Sequence, residues 1–167
     1  YVENGTLYVR ALKNGLIENV SLNGANTCKI TIYVPEDFYF EKASLEMGAG
    51  SMELDKLNGN EISLEVGAGK ITVRGAYAEK LKTSVGMGEI VIDDMEVSKL
   101  DAETNMGNLE IEGIVNEKAD VECSMGNITL RLDGEKKDFD YDVECGMGAI
   151  NIDGDSYSGL AQEKHID

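Results

Sequence analysis

Apolar and polar residues alternate in short runs along most of the chain, and the runs recur. Six stretches align on one glycine: GAGSMEL (48–54), GAGKITV (67–73), GMGEIVI (86–92), NMGNLEI (105–111), SMGNITL (124–130) and GMGAINI (146–152). The aligned glycines are Gly50, Gly69, Gly88, Gly107, Gly126 and Gly148, separated by 19, 19, 19, 19 and 22 residues. Before each glycine step stand Leu45/Met47, Leu64/Val66, Thr83/Val85, Ala102/Thr104, Val121/Cys123 and Val143/Cys145. After it stand Met52/Leu54, Ile71/Val73, Ile90/Ile92, Leu109/Ile111, Ile128/Leu130 and Ile150/Ile152. Both sets have period two, the signature of strands with one buried face.

Two further apolar rows keep the same interval. One holds Leu57, Ala76, Met95 and Ile114; the other holds Ala43, Ile62, Leu81, Leu100, Ala119 and Tyr141. A unit of this length with two short strands and a turn-rich segment leaves no room for a helix pair. It fits one coil of a parallel β-solenoid, each coil pairing with the next at ~4.8 Å so that equivalent residues form ladders. The inward positions run 45, 47 and then 52, 54, so the chain bends between them, at the glycine. Glycine there either supplies backbone angles denied to other residues or lets neighbouring backbone approach. The repetition, the acidity and the lack of a following helix all oppose a phosphate-binding loop.

The expected architecture is therefore one all-β domain over 1–167, a single-stranded parallel β-helix with coils of about 19 residues. Residues 1–42 are expected to form irregular leading coils, with a further strand in CKITIYVPEDFYFEKA (28–43); residues 43–154 form six regular coils; residues 155–167 form a C-terminal cap or tail. The three-residue insertion near 133–138 is expected to bulge outward.

Composition narrows the function. Net charge is −17, from 32 acidic and 15 basic residues, which opposes nucleic acid and anionic membrane surfaces as partners. No apolar run approaches the ~18 residues of a membrane span. Three cysteines do not make a disulfide framework. The chain opens on Tyr1 without an initiator methionine or signal peptide, so any export signal or anchor is expected outside this sequence.

Three ladders carry whatever chemistry there is. The middle residue of the glycine step reads Ala49, Ala68, Met87, Met106, Met125, Met147. This column is read first as core and corner packing, since methionine fills irregular gaps. The alternative is a soft copper(I) ligand set of Cys123, Met125, Cys145 and Met147. A Cys123–Cys145 disulfide is allowed by stacked spacing but not expected. The second ladder is acidic: Asp101, Glu103, Asp120, Glu122, Asp142 and Glu144 share one outward face in the last three coils. Hard cations take carboxylate oxygens, so these six are the candidate Ca²⁺ ligands, although neither an EF-hand loop nor a GGxGxD repeat is present. No metal or cofactor is expected otherwise; the bland reading is a solvated face, or a patch for a basic partner. The third ladder is catalytic, and it is empty. His165 is the sole histidine and lies in the tail, and the carboxylates sit on open strands, so no enzyme is expected.

The repeated Φ-x-Φ-G-x-G-x-Φ-x-Φ units, preceded by ITIYVP (30–35), resemble the bacterial adhesin-like family catalogued as domain-of-unknown-function family 4097. The resemblance spans about residues 3–154. It implies a right-handed β-helix, a place at the bacterial cell envelope outside the cytoplasm, tethered or exported, and no catalytic residues. The function it implies is a non-enzymatic binding or scaffold module whose partner is an unnamed envelope or surface component. The short glycine-punctuated rungs are also similar to bactofilin-type cytoskeletal solenoids, which implies the alternative of self-assembly through coil ends.

Overall fold

Every second residue along the repeats turns inward, and successive coils pair in parallel. The structure is a computed structural model and describes residues 2–3, 6–7, 9, 30–133, 140–158 and 162–166. The chain divides into two units, residues 1–34 and 35–167. In the first, β1 (Val2–Glu3) and β2 (Thr6–Leu7) pair antiparallel in a sheet of their own. Most of the remaining leading-coil segment lies outside the described residues. Residues 30–35, expected as a strand, form none. A strand needs a neighbour for its N–H and C=O groups, and among the described residues this run has no such partner. Its Ile30, Ile32 and Val34 are exposed.

The second unit is a β-solenoid. It comprises β3 (Phe40–Leu54), β4 (Leu57–Val73), β5 (Ala76–Val85), β6 (Glu89–Thr104), β7 (Asn108–Cys123), β8 (Asn127–Leu132), β9 (Asp140–Cys145), β10 (Ala149–Ile152), β11 (Asp155–Ser158) and β12 (Gln162–Ile166). The register reproduces the sequence interval. Leu45 pairs with Leu64, Leu64 with Thr83, Thr83 with Ala102, and Ala102 with Val121. Beyond the corner, Ile71 pairs with Ile90, Ile90 with Leu109, Leu109 with Ile128, and Ile128 with Ile150. The row Ala43–Ile62–Leu81–Leu100–Ala119–Tyr141 is also continuous. These rows close on one another as an aliphatic core in which Ile62, Leu64, Ile71, Leu81 and Ile90 are fully buried.

One expected row is broken. Met95 pairs with Gly113, not Ile114, and Ile114 pairs with Glu96 and is partly exposed. The cause is a shorter corner: Asp93 and Asp94 separate Ile92 from Met95, whereas Glu112 alone separates Ile111 from Gly113. Gly113 has a left-handed φ of 145°, and an added Cβ would lie 2.1 Å from the Met95 carbonyl oxygen. The register recovers by Lys99–Lys118, after a second irregularity.

The C-terminal tail pairs with the last coil. β11 lies antiparallel on β10 and β12 antiparallel on β9, which supplies partners to edges that would otherwise be bare. The insertion expected to bulge near 133–138 lies outside the described residues, Asp133 apart. Among the described residues there is no helix long and apolar enough to cross a membrane.

Two buried hydroxyls interrupt the aliphatic core. Thr83 and Thr104 are fully buried, and among the described residues their Oγ1 atoms have no hydrogen-bond partner. A buried hydroxyl left unmatched costs about 1–3 kcal/mol. Thr104→Val keeps the shape and removes the orphan oxygen, so it should raise stability by about 1 kcal/mol or more. A urea titration checks this; an unchanged or lower midpoint would mean the hydroxyl has a partner after all.

Candidate functional site

The acidic face forms as expected, but its aspartates are not free. Asp101, Asp120 and Asp142 stack in register, as do Glu103, Glu122 and Glu144. A second column, Lys80–Lys99–Lys118, runs two residues to the side on the same face. Lys118 Nζ lies 2.6 Å from Asp120 Oδ1 and 2.9 Å from Asp142 Oδ2, so its ammonium stands where a bridging cation would. Lys82 Nζ reaches Asp101 Oδ2 at 3.2 Å, and Lys80 approaches the same oxygen at 3.9 Å. Hydrogen bonds to Asp120 and Asp142 raise the Lys118 pKa strongly, and Asp101 raises that of Lys82.

The glutamate column is different. Glu122 and Glu144 are exposed and Glu103 is half-buried. Among the described residues none of the three makes an ion pair. Two such charges one rung apart repel by about 1 kcal/mol in water before salt screening. The candidate Ca²⁺ ligands thus split into a lysine-neutralised aspartate column and an open glutamate column. Calcium takes six to eight wrapped oxygens. Among the described residues no three His, Cys, Asp or Glu side chains converge into a metal-binding group.

Sequence reasoning missed the lysine column. Its signal was present: Lys80, Lys99 and Lys118 keep the 19-residue interval two positions before the aspartate row. Other ion pairs follow the same rule, joining residues one coil apart. Lys42 meets Glu61 at 3.0 Å, Lys70 meets Glu89 at 2.9 Å, and Arg131 meets Glu110 at 2.5 Å. Exposed pairs of this kind add little stability singly. Lys118→Gln removes an ammonium that bridges two aspartates, so it should lower the melting temperature at low salt and much less at high salt. A salt-independent change would assign the loss to packing instead.

The sulfur set weighed as the copper(I) alternative does not assemble. Cys123 and Cys145 are buried free thiols, paired in register inside the core, and Cys145 Sγ donates to the Gly148 carbonyl at 3.3 Å. Burial, reinforced by Cys145, pushes the Cys123 thiol up. Met125 and Met147 point the other way, at 52% and 69% exposure. The expectation of core packing for the methionine column fails as well, because Met87 and Met106 are also exposed. The corner bend turns the middle residue outward instead of continuing the inward alternation. Cys28 lies outside the described residues, and of His165 only the backbone pairing with Asp142 is described.

The glycine corners are explained by close approach. An added Cβ on Gly69, Gly88, Gly107, Gly126 or Gly148 would lie 2.3–2.5 Å from the carbonyl oxygen of the equivalent glycine one coil earlier. Among the six, Gly50 alone has a left-handed φ.

Several groups titrate higher in the folded chain. Lys82 and Lys118 are raised by their aspartates, Arg131 by Glu110, Tyr77 by its hydrogen bond to Asp94, and Cys123 by burial. Groups raised on folding bind more protons when native, so they stabilise below their ordinary pKa values and lose that contribution as pH climbs through the folded ones. Stability should therefore fall steadily above about pH 9, beginning with the thiol, whose ordinary value is 9.0. A melting temperature that stays flat to about pH 11 would contradict these shifts.

Stacked parallel coils, continuous residue ladders and outward columns of like residues define a β-solenoid repeat protein. The chain belongs to the Toastrack DUF4097 family, whose model matches residues 2–163. No match was found among curated proteins or among solved structures.

Proposed function

We propose that this chain is a non-enzymatic binding or scaffold module of the bacterial cell envelope, adhesin-like in role and displayed outside the cytoplasm. The observation that carries this reading is the open glutamate column Glu103–Glu122–Glu144, held in register on a rigid face beside an aspartate column that lysines already neutralise. Such a column offers evenly spaced negative charge to a partner presenting basic groups. The face is flat strand, and its carboxylates point to solvent singly rather than converging as an acid–base pair would. The resemblance stated above supplies the envelope location.

The alternative is self-assembly through coil ends. β11 and β12 lie antiparallel on the terminal coil and occupy edges that a head-to-tail neighbour would need, which favours the module. The test compares wild type with Glu103→Gln/Glu122→Gln/Glu144→Gln for retention on immobilised polylysine and on isolated envelope fragments. The triple variant should lose at least tenfold in retention while melting no lower. Equal retention would overturn this face, a sedimentation coefficient that climbs with concentration would favour assembly, and recovery of the full-length protein from the cytoplasmic fraction would overturn the location.

A further inference from the structure

The methionine column lies outside that reading and does not depend on it. Met87, Met106, Met125 and Met147 sit at the middle of four consecutive corners, at 65%, 53%, 52% and 69% exposure. Methionine is ordinarily among the more buried residues. The four backbones are locked in series. Met87 N–H donates to Gly67 O at 2.7 Å, Met106 to Gly86 O at 2.8 Å, Met125 to Asn105 O at 2.7 Å, and Met147 to Ser124 O at 2.7 Å. Consecutive methionines therefore stand about one rung, ~4.8 Å, apart. Glycine follows each of them, and Gly86, Asn105, Ser124 and Gly146 precede them, so no bulky neighbour at the corner separates one thioether from the next. Three rotatable bonds let adjacent side chains converge on one point.

Apolar character alone does not account for the column. Where this chain needs only apolar bulk, residue type drifts from coil to coil. One inward column reads Leu64, Thr83, Ala102, Val121, Val143, and the next reads Val66, Val85, Thr104, Cys123, Cys145. The corner column holds the same side chain in four consecutive coils, on the outside, where leucine or valine would serve an apolar partner equally well. What methionine offers beyond bulk is the thioether sulfur. Thioethers are uncharged, so they stack without the repulsion of the glutamate column. They are soft ligands that select copper(I) over the hard cations that carboxylates prefer. A net charge of −17 draws any cation toward the surface.

We propose that Met87, Met106, Met125 and Met147 form a surface thioether site for a soft monovalent cation of the copper(I) type, one ion held by methionines of consecutive coils. The site is made of methionine alone, unlike the mixed cysteine–methionine alternative weighed from the sequence.

The test uses silver(I) as the air-stable probe, in chloride-free buffer after accessible thiols are alkylated, with copper(I) repeated under anaerobic conditions. The protein carries ¹³C-methyl methionine. Silver(I) should saturably shift the methyl resonances of at least two corner methionines on neighbouring coils, at one ion per chain, while buried Met95 stays fixed as an internal control. Met106→Leu/Met125→Leu should weaken binding at least tenfold without lowering the melting temperature, because both positions are exposed. Calcium should cause no shift. Unmoved corner methyls, or undiminished silver binding in the double variant, would overturn the site; the latter would place the ion on another sulfur.

Discussion

Gly107→Val is expected to lower stability by about 4 kcal/mol or more, because the added side chain forces the backbone of the adjacent coil to move. The new Cβ would lie 2.3 Å from Gly88 O and 2.5 Å from Val85 Cγ1. The oxygen cannot retreat freely, since Gly88 O accepts the Asn108 N–H at 3.0 Å in the rung-to-rung ladder. Dihedral strain is not the cause, because Gly107 is not among the glycines with positive φ. Gly48→Ala is the matched control. Nothing lies within 4 Å of a Cβ built there, so it should change stability by no more than about 0.5 kcal/mol. Thermal and urea melts of both variants check the contrast. A Gly107→Val chain that melts within a degree or two of wild type would reject the stacked-corner account.

Ile90→Ala should cost about 3–4 kcal/mol. Ile90 is fully buried between Ile71 and Leu109, its register partners on either side. Both neighbours are held by their own backbone ladders, so the cavity cannot close by letting one coil sag. For a chain of this length that loss lowers the melting temperature by roughly 2–4 °C per kcal/mol. Solenoid coils couple mainly to their neighbours, so hydrogen-exchange protection should fall most in β4, β6 and β7. Uniform loss of protection in every coil would instead mean that the stack opens as one unit. Met52→Ala is the comparison: Met52 is only half-buried on the first coil, and its truncation should cost far less.

Errors in reading the chain cluster where it bends. Met87 follows Val85 at the spacing that keeps a strand residue on one face, so alternation places it inside, yet it is 65% exposed. Alternation holds only while the strand runs straight, and a corner rotates the next side chain by an amount the pattern does not contain. Ile114 was misread for a related reason: one residue fewer in the preceding corner moved Gly113 into the row. Lys118 was overlooked because its role depends on Asp142, twenty-four positions on, whose carboxylate reaches it only when the coils stack.

By itself the sequence determined the strand periodicity, the coil length, the inward columns flanking each glycine step, the place of each corner and the sign of the surface. These are properties of residues near one another along the chain, or of a repeat that imposes its own register. Only the tertiary structure decided which way the corner methionines face, why the corners must be glycine, and which carboxylates already have a cation. The first depends on how the chain bends at the corner and the others on the backbone and side chains of the adjacent coil, some twenty residues away; a one-residue slip or a local bend changes these without disturbing the periodic pattern.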